Sequence, residues 1–277
     1  MSLKKILGQI KLAQPKTLKD LHEILVFETS KDRFQIYNEM KALTEGISGH
    51  SRCIGGDKKL IDQILELHRI GSESINGEVE KACYPILCDH ERRCRCKNNS
   101  VTLALKKVPL FDMPLIRSYD DITQQYWTRY DVYAEIVCLK LTTSLVRSGV
   151  CPNLPMFFSY FPCSHCVFEN KEITKHLSGS NQSSCLLVLN EFASGGDFKH
   201  WLEAKSRTFE EWMNAYFQIF MGLAAIQKYF GMAHFDLHWG NVLIHNVPKG
   251  GYWKYTLNGN DYYCPNLGYL FVLWDFG

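Results

Sequence analysis

The sequence predicts an α+β fold of two lobes, and three observations carry that prediction. Short strand-like runs with a single helix fill the middle of the chain. Helices open the part after residue 197, and a Gly-containing connector, "EFASGGD", separates the two textures near residues 191–197. Segregation of this kind would put a ligand between the lobes.

The elements follow in order. Residues 17–45 and 57–69 have helical spacing, with Leu18, Leu21 and Leu25 in one run and Leu60, Ile61, Ile64 and Leu65 in the other. They form an expected helical N-terminal extension, 1–69. Then come the strand-like runs "VTLALKKV", "MFFSYF" and "SCLLVLNEF", with a helix over 126–146 between the first two. This region, 70–193, is the expected first lobe. The second, 194–277, holds the helix "FKHWL", a long helix over 209–230 and a return to strand. Within that return, "YWKYTL" and "NDYYC" flank Asn258-Gly259, the turn signal of a hairpin.

Composition excludes several classes. The chain has 277 residues, 46% of them hydrophobic, enough for two cores and too many for disorder. A formal charge of +2 gives no support for nucleic acid or a membrane surface held by net charge. The most apolar helix is interrupted by Gln218 and Gln227, so it reads as a buried helix rather than a membrane span. The N-terminus lacks the apolar core of a signal peptide. Eleven cysteines, an odd count without an even framework, read as mostly unpaired thiols. An intracellular, cytoplasmic protein is expected.

Chemistry concentrates in "GMAHFDLHWGNVLIHN", residues 231–246, where a polar stretch is wedged between a buried helix and a strand. Asp236 could accept a proton from an incoming hydroxyl. The amide of Asn241 could ligate a metal, and Asp275, after the apolar run "YLFVLW", could supply a charged second ligand. Oxygen ligands of this kind suit Mg²⁺. A base with two magnesium ligands describes phosphoryl transfer, which is mostly positioning and charge neutralisation. A phosphate clamp is then required upstream. In "TLALKKV", Ala104 and Lys106 share a strand face, able to floor an adenine pocket and reach its phosphates. Glu135 could orient that lysine by an ion pair. Lys107 beside it leaves a register ambiguity that the Ala-x-Lys spacing decides for Lys106. Taken alone, Asp236, Asn241 and Asp275 could be turn residues and Lys106 an exposed strand lysine. Their joint order argues otherwise.

These motifs resemble the protein-kinase superfamily over roughly residues 68–277. "LALK" resembles the strand-three lysine motif, "AEIVCL" the C-helix, "HFDLHWGN" the catalytic loop and "DFG" the metal-binding motif. The wording "DLHWGNVL" is close to haspin-type kinases, and the final stretch is similar to kinases of large cytoplasmic DNA viruses, which would put the chain in host cytoplasm or virion. The resemblance implies a bilobal kinase-like fold with an antiparallel N-lobe sheet plus C-helix, ATP and Mg²⁺ as cofactors, and a protein serine or threonine as acceptor. It makes Asn190 the gatekeeper, Glu191 to Ala193 the adenine-contacting hinge and Asp197 a ribose contact. The glycine-rich loop falls on "IGSESINGEV", with Gly71, Gly77 and Val79 in the motif and Ser72 and Ser74 where glycines are usual.

The chain also departs from that pattern. Phe235 replaces the arginine that pairs with a phosphorylated activation loop, and His238 stands where a lysine usually meets the γ-phosphate, making that contact pH-dependent. With "DFG" at residues 275–277, the activation segment and lower helices are not in the sequence. The expectation is therefore an incomplete helical C-lobe, an apolar patch left on helix 209–230, and a possible complementing chain that supplies the rest. Two alternatives stand beside a kinase: a catalytically silent pseudokinase or nucleotide-binding remnant, and a small-molecule kinase of the aminoglycoside or choline type, which shares "DLHxGN". Cys83, Cys88, Cys94 and Cys96 with His90 fit no standard zinc module and are read as free thiols in a surface insertion, while Cys163-x-x-Cys166 around His165 is a separate pair for which zinc stays open and no metal is assigned.

Overall fold

A computed structural model describes residues 67–70, 77–85, 100–111, 113–114, 121–163, 166, 168–178 and 184–276. Most of the expected N-terminal extension, together with Gly71, Ser72, Ser74, Cys88, His90, Cys94, Cys96 and His165, lies outside the described residues. The described residues divide into two compact units, one from within 35–137 and 157–192, the other from within 138–156 and 193–276.

The first unit is an antiparallel sheet of β1 (Leu67–Ile70), β2 (Glu78–Pro85), β3 (Ser100–Pro109), β4 (Phe157–Cys163) and β5 (Cys185–Glu191), in the order β1-β2-β3-β5-β4. Residues 67–69 are thus strand, not the end of a helix over 57–69. Leu67 to Ile70 satisfy their backbone by pairing with Ala82 to Val79, a tertiary partner that local helical spacing cannot reveal. Every residue of β5 is buried, as befits a strand with neighbours on both edges. The expected helix over 126–146 begins with one short turn, α1 (Gln124–Trp127). It then restarts as α2 (Asp131–Arg147), which begins in this unit and from Cys138 onward is counted with the other, with Asp131 in the first turn and Arg147 in the last, both matched to the helix dipole. Tyr133 and Ile136 of α2 are fully buried. A further helix, α3 (Lys171–Ser178), lies between β4 and β5 in the chain.

In the second unit, Asp197 caps α4 (Phe198–Ala204) by accepting the His200 N–H at 2.7 Å. The long helix α5 (Phe209–Phe230) has the bounds its sequence predicts. It opens on a capping box of Thr208 and Glu211 and ends at Gly231 in the left-handed region. Two antiparallel ribbons accompany it: β6 (Val242–Asn246) with β9 (Tyr269–Leu273), and β7 (Tyr252–Leu257) with β8 (Asn260–Pro265), the latter turning at Asn258 and Gly259 as expected.

The β7–β8 hairpin is core, not appendage. Trp253 and Tyr255 are buried, and Tyr255 meets Phe217 of α5 edge-on at 5.5 Å. On β9, Leu273 packs so closely on α5 that a Cβ at Gly222 would lie 2.9 Å from its Cδ1. Gln218, one of the two residues that break the apolar run, is fully buried and builds a polar ladder. Its Oε1 accepts Asn153 Nδ2 (2.8 Å) and the Phe271 N–H (3.1 Å), while its Nε2 donates to Asn214 Oδ1 (2.8 Å) and the Tyr269 carbonyl (3.2 Å). Tyr216 and Phe220 stack along the other side of α5 and remain exposed, as do Phe209 and Tyr229.

Candidate active site

The lysine half of the site is built on β3. Alternation along the strand puts Ala104 and Lys106 on one face, with Ala104 opposite Lys81 and Asn190, and Lys106 opposite Val79 and Val188. Lys106 Nζ reaches Glu135 Oε1 of α2 at 2.7 Å. Lys107 turns the other way, to Glu78 at 3.0 Å and Glu80 at 2.8 Å, with its ammonium 5.7 Å from the Phe168 ring centre. Of the two adjacent lysines it is Lys106 that pairs with Glu135. Burial alone would push the Glu78 carboxyl up, but the Asn170 N–H and Lys107 outweigh it and hold it below the ordinary 4.5.

Gly77 opens β2 with φ 154°, and a Cβ there would sit 2.6 Å from the Lys107 carbonyl oxygen, so only glycine fits this approach of two strands. Val79 follows it on β2. Among the hinge residues, Glu191 ends β5 opposite Leu103 and is buried, as are Asn190 and Ala193. Among the described residues, the buried amide oxygen of Asn190 has no hydrogen-bond partner.

The acid–metal half lies in the second unit. Gly195 and Gly196 are stitched to Ile244 of β6 by backbone bonds of 2.7 and 2.9 Å, which fixes Asp197 beside the strand that Asn241 precedes. Asp236 is 72% exposed, its carboxylate open to an incoming group. Asn241, buried in a 3₁₀ turn over Trp239–Asn241, donates from Nδ2 to the Asp236 carbonyl at 2.9 Å and reaches its Oδ2 at 3.4 Å. That leaves the amide Oδ1 as the atom with which it could hold a metal. The Asn241 carbonyl accepts the Trp274 N–H at 2.8 Å, so the segment bearing Asp236 and Asn241 and the one bearing Asp275 are tied directly. Antiparallel pairing of β6 with β9, Val242 opposite Leu273, brings Asn241 and Asp275 to the same end of one ribbon. Asp275 takes a left-handed φ of 58° as the chain leaves that strand. An amide oxygen and a carboxylate are hard donors, and the pair fits magnesium.

His238 accepts the Gly240 N–H at Nδ1 (3.0 Å), which places its proton on Nε2, 3.8 Å from Asp236 Oδ2. His234, which the motif contains but sequence reasoning gave no role, joins the two segments a second time. Its Nε2 lies 2.7 Å from the Trp274 carbonyl, and its ring centre 5.0 Å from that of Phe276. The spacing of His234 from Asp236 was the available signal.

One expectation fails here. Cys166 and Cys185 form a disulfide, with Cα atoms 6.0 Å apart, so the unpaired-thiol reading does not hold for this pair. Cys185 starts a strand nineteen residues downstream, and only the β4–β5 register brings it back.

An antiparallel sheet with a lysine–glutamate pair, joined in one chain to a loop with Asp, Asn and a strand-end Asp, defines a protein-kinase-like α+β protein. Residues 46–264 match the family described as "Haspin like kinase domain", and the chain belongs to that family. It is 31% identical over 153 residues to "Putative serine/threonine-protein kinase 019R" of Frog virus 3, covering 54% of this chain and 17% of that protein. It is 24% identical over 233 residues to "Probable serine/threonine-protein kinase 380R" of Invertebrate iridescent virus 6, covering 83% and 39%. "Uncharacterized protein 011L" of Invertebrate iridescent virus 3 matches at 27% over 187 residues, 64% of this chain and 25% of the relative. The chain thus spans well under half the length of each of these relatives. No helix among the described residues is long and apolar enough to cross a membrane.

Proposed function

We propose that the chain carries the nucleotide-handling machinery of an ATP- and Mg²⁺-dependent protein kinase that phosphorylates serine or threonine. The observation that carries this reading is the 2.7 Å pair of Lys106 and Glu135. It singles out one of two adjacent lysines and aims it with a buried carboxylate, an arrangement that serves a phosphate better than it serves the sheet. In this reading Lys106 holds the α- and β-phosphates, Ala104 floors the adenine, and Glu191 and Ala193 offer backbone groups to its edge. Gly77 and Val79 belong to the loop over the phosphates, with Gly71, Ser72 and Ser74 assigned there by sequence alone. Asp197 keeps one carboxylate oxygen for the ribose while the other caps α4.

Asn241 Oδ1 and the Asp275 carboxylate would hold magnesium, which when bound neutralises charge on the transferring phosphoryl group. Asp236 accepts the proton of the acceptor hydroxyl, and His238 Nε2–H stands beside it to meet phosphate oxygen. The names of the viral relatives favour a protein hydroxyl as acceptor. A complementing chain or further sequence would supply the platform for a peptide. No nucleic-acid or membrane partner is proposed.

The test is Asp236→Asn. Transfer of labelled phosphate from ATP to a serine/threonine substrate mixture should fall about 10³-fold, while nucleotide binding stays within about twofold. Unchanged transfer in the variant rejects the base assignment. Nucleotide binding by the wild-type chain without transfer to protein would favour the silent nucleotide-binding reading. Transfer to an amino-alcohol alone would favour the small-molecule kinase.

A further inference from the structure

On the sheet that carries Lys106, three cysteines converge at the end of β4 and the start of β5. Cys163 and Cys185 are direct register partners on antiparallel strands, 1% and 0% exposed, and Cys166 follows three residues on as the chain leaves β4. The three sulfurs all lie within 4.8 Å of one another. We propose that in the reduced chain Cys163, Cys166 and Cys185 bind one zinc ion as thiolates, and that this ion ties the end of β4 to the start of β5.

The chemistry of the donor set selects the metal. Thiolates are soft ligands that favour zinc over magnesium or calcium. A tetrahedral site with Zn–S bonds of about 2.3 Å separates its sulfurs by about 3.8 Å, within the spread seen here. Cys163 is disulfide-bonded, as Cys166 and Cys185 are, so all three sulfurs are engaged when oxidised and become available to one ion together on reduction. The Cys-x-x-Cys step over 163–166 is the spacing that structural zinc sites use on a strand end, and β5 brings the third ligand across the ladder. Burying the Cys163 and Cys185 thiolates without a cation would be costly, and the ion removes that cost. Among the described residues the group has three members, so the fourth position falls to water or to a ligand beyond them. The disulfide between Cys166 and Cys185 and the bound ion are alternative uses of the same sulfurs, which makes the site readable by experiment.

Among the described residues β4 ladders with β5, and the ion would hold the end of the one strand to the start of the other.

The experiment uses the full 277-residue chain, made in a reducing cytosol and lysed into an alkylating agent without added metal. Elemental analysis should find about one zinc per chain, and the three cluster thiols should resist alkylation until a chelator is added. Cys163→Ser and Cys185→Ser should each lower zinc about tenfold or more, while Cys138→Ser, outside the cluster, leaves it unchanged. Should the cluster variants fail to fold, cobalt(II) added to the chelator-stripped wild-type chain gives the second reading. Thiolate-to-cobalt absorbance supports the site, and its absence overturns it. A chain free of zinc overturns the proposal. So does zinc retained in both cluster variants, or a Cys166–Cys185 disulfide recovered intact from the alkylated lysate.

Discussion

Replacing Gln218 by leucine should destabilise the second unit far more than its position in an apolar helix suggests. The substitution removes four hydrogen bonds at a fully buried site, but the groups left behind fare differently. Asn153 Nδ2 keeps the Phe271 carbonyl at 2.6 Å, and the Tyr269 carbonyl keeps Trp253 Nε1 at 3.3 Å. The Phe271 N–H and Asn214 Oδ1 are stranded. Each buried unsatisfied group costs about 1–3 kcal/mol, so the two cost about 2–6 kcal/mol, and the leucine's apolar atoms offset about 1 kcal/mol, for a net loss of about 1–5 kcal/mol. With a urea slope of about 2 kcal/mol/M, the unfolding midpoint falls by about 0.5–2.5 M. Intrinsic fluorescence suits the measurement, because every tryptophan except Trp127 lies in the second unit. Gln227→Leu, on the exposed side of the same helix, is the control and should shift stability by no more than about 0.5 kcal/mol. Equal midpoints for the two variants would refute the reasoning.

Two further outcomes follow from the lysine pair. Lys106→Met should lower phosphoryl transfer by about 10²–10³-fold, whereas Lys107→Met should leave transfer within about threefold and act on stability instead, as paired transfer and unfolding assays will distinguish. Glu78→Gln keeps the acceptor for the Asn170 N–H but loses the charge pair with Lys107, at about 1–2 kcal/mol near neutral pH. Because the folded Glu78 carboxyl lies below its ordinary 4.5, its stabilisation is complete above that value and is lost as pH falls through the lower, folded one. Urea midpoints of wild type and variant should therefore converge on acidification from neutral pH to below 4.5, and a constant gap would contradict the assignment.

Much of this arrangement was legible in the sequence because period and spacing carry it. The bounds of α5, the Asn258-Gly259 turn and the Ala104–Lys106 face follow from local rules, and the structure has each of them. What escaped depends on long-range register. Leu67–Ile70 is strand only because β2 offers it a partner, and Cys185 meets Cys166 only because β4 and β5 align. Gln218 looked like an interruption in an apolar helix, equal to Gln227. Sequence alone gives no sign that Asn153, Asn214 and the β9 backbone surround one and not the other. His234 was visible in its motif, but its purpose needed the Trp274 carbonyl and the Phe276 ring in place.

The β6–β9 ribbon has two ends with different histories open to them. Asn241 and Asp275 share one end, and the chain between the strands departs and returns at the other, beyond Asn246 and Tyr269. The number of residues inserted there does not enter the register that puts Asn241 and Asp275 together, so a change of length at this point leaves their placement alone. Its composition is not equally free, since the hairpin carries Trp253 and Tyr255 into the packing of α5. Trimming or lengthening the turn at Asn258–Gly259 is thus a change of outline, while excising the hairpin removes part of the second unit's interior.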